Sequence, residues 1–289
     1  MMMRLFTTSV ILLFHANQSS SLRLQSLLKT RRIIDSTNQR TLLNMDAIND
    51  SSNNAPKRIF CYGDSLTAGT SPPFGLYPYG PHLEGELNKM SSSSTTTTTS
   101  SSSSPTSVVR WRGLPGWTAS RMTEYLDDAD AGLRAVINGI RDPPVSLVII
   151  LAGTNDVGLW TSSISRKDES IDVSAAVEPI LSLHRAVLAC HGKNEDGRTS
   201  IIRTLAVGIP GSEWQKMNSA ALSLCTEMNE SLRKFASSHN EVSYVDFPFP
   251  YHRGDSKWND DGLHLSPEGY QALGKELAPH VREILQSMD

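Results

Sequence analysis

The sequence predicts an α/β fold, a parallel sheet with helices on both faces. Three observations carry that expectation. Short apolar runs alternate with helix-period segments five times along the chain. The run Val145–Leu151 (VSLVIIL) is apolar but for one serine, as suits a strand covered on both faces. Polar, chemistry-bearing residues follow the strands closely, where open α/β sheets place their ligands.

The elements follow in order. Arg58–Tyr62 is the first strand, and it runs into Gly63-Asp64-Ser65-Leu66-Thr67-Ala68-Gly69. Pro72, Pro73, Gly75, Pro78, Gly80 and Pro81 then mark an irregular loop. Leu83 and Leu87, four apart, put a helix after it. Val108–Trp111 is the second strand, followed by a turn at Gly113–Trp117. A helix starts at Thr118 or Ser120 and runs to about Leu126, and a second amphipathic piece spans about 131–140. The third strand, Val145–Leu151, ends at Gly153-Thr154-Asn155-Asp156. Residues 157–171 read as a polar loop. Val173–Leu188 has helical spacing, with Pro179 predicting a kink or a later start. Ile201–Ile209 is the fourth strand, 220–235 a helix and Val242–Phe247 the fifth strand. Ser266 and Pro267 open a last helix to about Gln286, as N-cap and first-turn proline.

The 289 residues accommodate one well-buried domain with tails. We place it at 57–289 and read 1–56 as a disordered extension. Residues 1–34 lack acidic side chains and carry Arg4, Arg23, Lys29, Arg31 and Arg32, with many Ser, Thr and Leu. That composition fits a transit peptide better than a signal peptide, since Phe14 would stand three residues before a cut after Ala16. The protein is then organelle-targeted or secreted, and otherwise cytoplasmic. The apolar stretch Leu5–Phe14 is too short to span a membrane. Residues 91–105, fourteen Ser/Thr closed by Pro105, read as a disordered surface insertion inside the domain. A net charge of −3 without a basic stripe argues against nucleic-acid binding. Cys61, Cys190 and Cys225 are few and far apart, so they read as buried free thiols, and no Cys/His cluster suggests a metal.

Acyl transfer at neutral pH requires a nucleophile, a base, a group that orients the base, and donors for the developing oxyanion. Residues at the strand ends supply candidates for each. Ser65 is the nucleophile and His264 the general base, then acid. Asp261, three residues earlier, reaches the other imidazole nitrogen. The oxyanion donors are the backbone N–H groups of Ser65 and Gly116 and the side-chain amide of Asn155. Glycine at 116 lets backbone approach a substrate without a side chain in the way.

Gly63-Asp64-Ser65-Leu66, Gly116, Gly153-Thr154-Asn155-Asp156 and Asp261-Gly262-Leu263-His264 together resemble, in order, the four signature blocks of the SGNH (GDSL-type) hydrolases. The resemblance covers about Lys57 to Asp289, interrupted by the Ser/Thr insertion. It implies a three-layer, flavodoxin-like α/β/α sandwich with a five-stranded parallel sheet. It also implies an esterase or lipase-like enzyme with a metal-free and cofactor-free acyl-serine mechanism. By that resemblance the catalytic serine falls on Ser65, the oxyanion glycine and asparagine on Gly116 and Asn155, and the Asp and His on Asp261 and His264. The partner expected is a small-molecule, lipid or carbohydrate ester.

Plainer readings stand beside these. Ser65 could be a turn serine and His264 a surface histidine, but each has its partners elsewhere in the chain. Asp260 competes with Asp261 as orienter at a less favourable spacing. Asp64 and Asp156 read as braces for their own loops, and His184, within a predicted helix, as structural or surface. Trp117, Trp160 and Trp258 line an apolar acyl pocket or simply pack. The sequon at Asn229 lies in a predicted helix and reads as incidental. An acyltransferase would use the same residues with an alcohol or sugar acceptor. A vestigial scaffold is disfavoured because no member of the constellation is missing.

Overall fold

The computed structural model describes residues 55–73, 75–92, 106–140, 144–162, 171–193 and 199–288. Five parallel strands form the central sheet: β1 (Lys57–Gly63), β4 (Ser107–Gly113), β5 (Val145–Leu151), β8 (Arg203–Val207) and β9 (Val242–Val245). Their spatial order is β4-β1-β5-β8-β9. The strand order thus reverses beside β1, and open sheets bind their ligands at such a reversal, outside the carboxyl ends of the strands.

The pleat of β1 shows why both faces are covered. Ile59 and Cys61 point to one side, Phe60 and Tyr62 to the other, and all four are buried. Phe60 and Tyr62 join a core with α3 (Ala119–Glu124), α4 (Leu133–Gly139), α6 (Val173–Leu188) and α8 (Ser219–Ser237). Ile59 and Cys61 join a second core with α2 (Gly80–Ser92) and α9 (Pro267–Gln286). A strand buried on both faces must be apolar at successive positions, so β5 alternates Val148 and Ile150 into one core with Leu147, Ile149 and Leu151 into the other. The result is the three-layer α/β/α sandwich.

Five smaller elements complete the described chain. They are α1 (Ser65–Ala68), the ribbon of β2 (Thr70–Ser71) and β3 (Gly75–Leu76), α5 (Thr154–Ser162), the ribbon of β6 (His191–Lys193) and β7 (Thr199–Ile201), and α7 (Glu213–Met217).

Local signals account for most boundaries. Ser266 caps α9 by accepting from the Gly269 N–H, with Pro267 in the first turn. Thr118 caps α3 through the Arg121 N–H, and Asp172 caps α6 through the Ala175 N–H.

The structure corrects the sequence reading at several points. Residues 154–162 are helical, where a loop was expected from 157. Helix α6 starts at Val173 and contains Pro179, so the proline does not delay its start. The fourth sheet strand is shorter than Ile201–Ile209, because Ile201 belongs to the β6–β7 ribbon. Helix α2 takes in Ser91 and Ser92. The rest of the 91–105 segment and nearly all of 1–56 lie outside the described residues. No described helix is long and apolar enough to cross a membrane.

Candidate active site

Strand β1 delivers Ser65 to the carboxyl edge of the sheet. Gly63 permits the tight exit, since a Cβ there would lie 1.9 Å from the Leu151 carbonyl oxygen of β5. Asp64 then caps α1, its Oδ1 accepting from the Leu66 N–H at 2.9 Å. Ser65 is the first residue of that helix and is almost fully buried.

The Asp261–His264 segment arrives between β9 and α9. The Asn259 N–H donates to the His264 carbonyl (2.8 Å), and Gly262 turns the chain at φ +74°. Asp261 Oδ1 accepts from the backbone N–H groups of Leu263 (3.0 Å) and His264 (2.9 Å). Its Oδ2 lies 2.6 Å from His264 Nδ1. His264 Nε2 lies 2.9 Å from Ser65 Oγ, across 199 residues of sequence.

The proton positions follow from donor chemistry. An ionised carboxylate only accepts, so His264 Nδ1 carries the proton and donates to Asp261. Nε2 is then free to accept from the Ser65 hydroxyl. Burial pushes the Asp261 carboxyl up, but its bonds to the His264 ring and to two backbone N–H groups outweigh that and hold it below the usual range. Asp261 is therefore charged at neutral pH.

Gly116 and Asn155 converge on the loop between β4 and α3. The Leu114 N–H donates to the Gly63 carbonyl at 2.8 Å, tying the loop to β1. The Trp117 N–H donates back to the Leu114 carbonyl, closing a four-residue turn with Pro115 and Gly116 in its middle. Gly116 has φ +77°, the left-handed value that the third position of a type II turn requires. A Cβ at 116 would meet nothing within 4 Å, so glycine is present there for its φ and not for close packing. The close approach is at Gly113, where a Cβ would stand 2.0 Å from the Ala68 nitrogen. Asn155, in the first turn of α5, donates from Nδ2 to the Trp117 carbonyl at 2.9 Å. The second N–H of that amide remains for another acceptor.

Two more carboxylates are buried around this edge. Burial pushes Asp64 up to about 7, against the Leu66 N–H bond and the nearby His264, which favour the charged form. Its Oδ2 is buried without a partner. Asp156 was expected to brace its own turn. It bonds its own backbone N–H, and its two oxygens also accept from the Ala119 N–H across the loop, at 3.1 and 2.9 Å. Burial pushes Asp156 up to about 6, with the Ala119 bond opposing.

The sequence reading missed two supports of the histidine loop. Asn259 Nδ2 donates to the Pro72 carbonyl (2.9 Å) and Ser71 Oγ (3.3 Å), joining that loop to the serine loop. The Glu213 N–H donates to the Gly262 carbonyl, and the Glu213 carboxylate takes the Tyr251 hydroxyl and Arg253. Asn259 could have been noticed as the polar residue opening Asn259-Asp260-Asp261, but its partners are remote in sequence.

The remaining candidates have packing or hydrogen-bond partners of their own. Trp258 is buried, donates its indole N–H to the Pro250 carbonyl, and packs against Phe247, Phe249 and Tyr251. Trp117 is half-buried beneath the Arg121 guanidinium, 4.4 Å from the ring centre, and Trp160 packs against the core. His184 is fully buried against the Thr204 hydroxyl, and burial lowers it to about 3. The three cysteines are buried free thiols. Asn229 holds the backbone N–H and carbonyl of Ile209 with its own amide. Among the described residues no group of three His, Cys, Asp or Glu side chains is placed to hold a metal ion.

A sequence profile of the GDSL-like Lipase/Acylhydrolase family matches residues 61–272, which include Ser65, Gly116, Asn155, Asp261 and His264. The chain belongs to that family. As a GDSL-like acylhydrolase it is a carboxylic ester hydrolase. Solved structures with the same fold include the aryl esterase of M. smegmatis, with 20% identity and a TM-score of 0.55 over 79% of this chain and 99% of that one. They also include Est24, a carbohydrate acetylesterase from Sinorhizobium meliloti, with 22% identity and a TM-score of 0.53 over 79% and 99%. A lipase/acylhydrolase from Enterococcus faecalis matches with 17% identity and a TM-score of 0.52 over 78% and 96%. At these identities the likeness is one of fold. No curated protein matched the GDSL-like acylhydrolase in sequence.

Proposed function

We propose that this acylhydrolase cleaves carboxylic esters through an acyl-enzyme on Ser65. The observation that carries the reading is the unbroken chain Asp261 Oδ2–His264 Nδ1 and His264 Nε2–Ser65 Oγ, at 2.6 and 2.9 Å. Ser65 Oγ attacks the ester carbonyl carbon as its proton passes to His264 Nε2. The imidazolium that results is stabilised by the charged Asp261. The carbonyl oxygen becomes an oxyanion, met by the N–H groups of Ser65 and Gly116 and by the free N–H of the Asn155 amide. Ser65 opens α1, and the first N–H groups of a helix have no partner within it. Collapse breaks the bond to the alcohol oxygen, which takes the proton from His264. Water, deprotonated by the same Nε2, then attacks the acyl carbon and releases the acid and the serine.

The test is turnover of p-nitrophenyl esters from acetate to palmitate, with wild type beside Ser65→Ala. The reading requires turnover by the wild type, loss of it in the variant, and a fluorophosphonate adduct on Ser65 by peptide mass. An active Ser65→Ala protein would refute it. The same assay with added alcohol separates hydrolysis from acyl transfer, since transfer yields a new ester in place of free acid.

A further inference from the structure

We infer that Asp156 is a positioning residue for the oxyanion donors, acting through the backbone of the Gly116 loop. The inference rests on the reading of Gly116 and Asn155 as those donors. Gly116 is exposed and has no side chain, so the core does not hold it. Its N–H must be aimed by its neighbours. On one side Leu114 is tied to the Gly63 carbonyl. On the other, two consecutive residues of α5 take hold of the loop. Asn155 binds the Trp117 carbonyl at 2.9 Å, and Asp156 binds the Ala119 N–H with both oxygens.

These two bonds divide the work. The Asn155 bond uses one amide N–H to fix the other. The Asp156 bond fixes where α3 begins, because Ala119 is its first residue after the Thr118 cap. The first N–H groups of a helix lack internal partners, so nothing within α3 substitutes for Asp156. A buried, charge-assisted bond is about twice as strong as a neutral one, so it holds the loop stiffly. Asp156 is 2% exposed and touches no bulk water in this role. Without it the 114–119 segment keeps its turn but loses its anchor to α5 beyond Trp117. A displacement of about 1 Å in a catalytic group can cost 10²-fold.

The experiment compares wild type, Asp156→Asn, Asp156→Ala and Asn155→Ala by stopped-flow p-nitrophenyl acetate hydrolysis at pH 8, with melting temperatures alongside. We expect acylation to slow ten- to a hundred-fold in Asp156→Ala with KM nearly unchanged. Asp156→Asn keeps one neutral acceptor and should fall between it and wild type. Asn155→Ala should slow acylation by itself. If Asn155→Ala is slow and Asp156→Ala matches wild type, the positioning role is wrong while the donor reading stands. If neither is slow, the donor reading has failed. An Asn variant no faster than the Ala variant, or a loss carried by KM, also overturns the inference. Should Asp156→Ala not fold, Asp156→Asn decides: a several-fold loss of kcat at unchanged KM supports the role, and a wild-type kcat removes it.

Discussion

Replacing Asp261 with Asn tests the proton arrangement more sharply than deleting it. The side chain cannot rotate freely in the substituted protein. Two backbone N–H groups, from Leu263 and His264, already point at the Oδ1 position at 3.0 and 2.9 Å. An amide NH₂ placed there would face two donors, so the asparagine carbonyl must occupy that position. Its NH₂ then falls where Oδ2 stood, 2.6 Å from His264 Nδ1. A donor facing Nδ1 forces that nitrogen to accept, and the ring proton moves to Nε2. Nε2 now presents an N–H to Ser65 Oγ and cannot take its proton. The shape of the site is kept while the base is disabled. A tautomer reversal of this kind lowers kcat by about 10⁴ in a comparable triad, about 5.5 kcal/mol of transition-state stabilisation. The assay is p-nitrophenyl acetate turnover at pH 7.5, with the melting temperature and fluorophosphonate labelling rate measured on the same preparations. Asp261→Asn activity within tenfold of wild type, at unchanged melting temperature, would refute the tautomer argument.

Other predictions follow from packing and charge. Asp64 holds its proton more tightly in the folded state, at about 7 against an ordinary 3.8, so it lowers stability as pH rises between those values, by on the order of 4 kcal/mol at most. Asp64→Asn keeps the cap on Leu66 and removes that dependence, so its melting temperature relative to wild type should rise from pH 5 to pH 8; an equal difference at both pH values would contradict this. Gly113→Ala should cost more stability than Gly116→Ala, because a Cβ at 113 meets backbone at 2.0 Å while one at 116 meets only the strain of φ +77°, about 1–2 kcal/mol. Urea unfolding of both variants measures the order, and a reversed order contradicts the two glycine assignments. Asn229→Ala should lose about 2 kcal/mol by leaving the Ile209 N–H unpaired and its carbonyl with only the weak Cys225 thiol donor. Intact mass of protein from a secretory host should show no glycan at Asn229, since both ends of its amide are already engaged.

Legibility in the sequence tracked how local the physics was. The limits of β5 were readable because a strand buried on both faces must be apolar at successive positions. The start of α9 was readable because Ser266 and Pro267 satisfy the cap within four residues. The blocks around Ser65 and His264 were readable because Asp261 acts on its own loop, three residues from its partner. What escaped was held from a distance. Helix α5 carries Gly158 and little helical periodicity. It is fastened by Asp156 to Ala119 and by the Trp214 indole N–H to the Thr161 hydroxyl. Helix α7 has five residues, too few for a periodic pattern. The role of Asn259 depends on Ser71 and Pro72, some 187 residues earlier, and no local pattern encodes that. The left-handed φ of Gly116 was not legible, because a turn type depends on its four residues together.

The serine and the histidine stand 199 residues apart in the chain. Between them the ribosome must deliver four of the five sheet strands, and α9 follows only after His264. That last helix also reaches back, the Tyr270 hydroxyl donating to the Thr70 carbonyl beside the serine loop at 2.7 Å. A nascent chain therefore carries Ser65 long before it carries His264. On the proposed mechanism the growing chain has no base for Ser65 until residue 264 has been added.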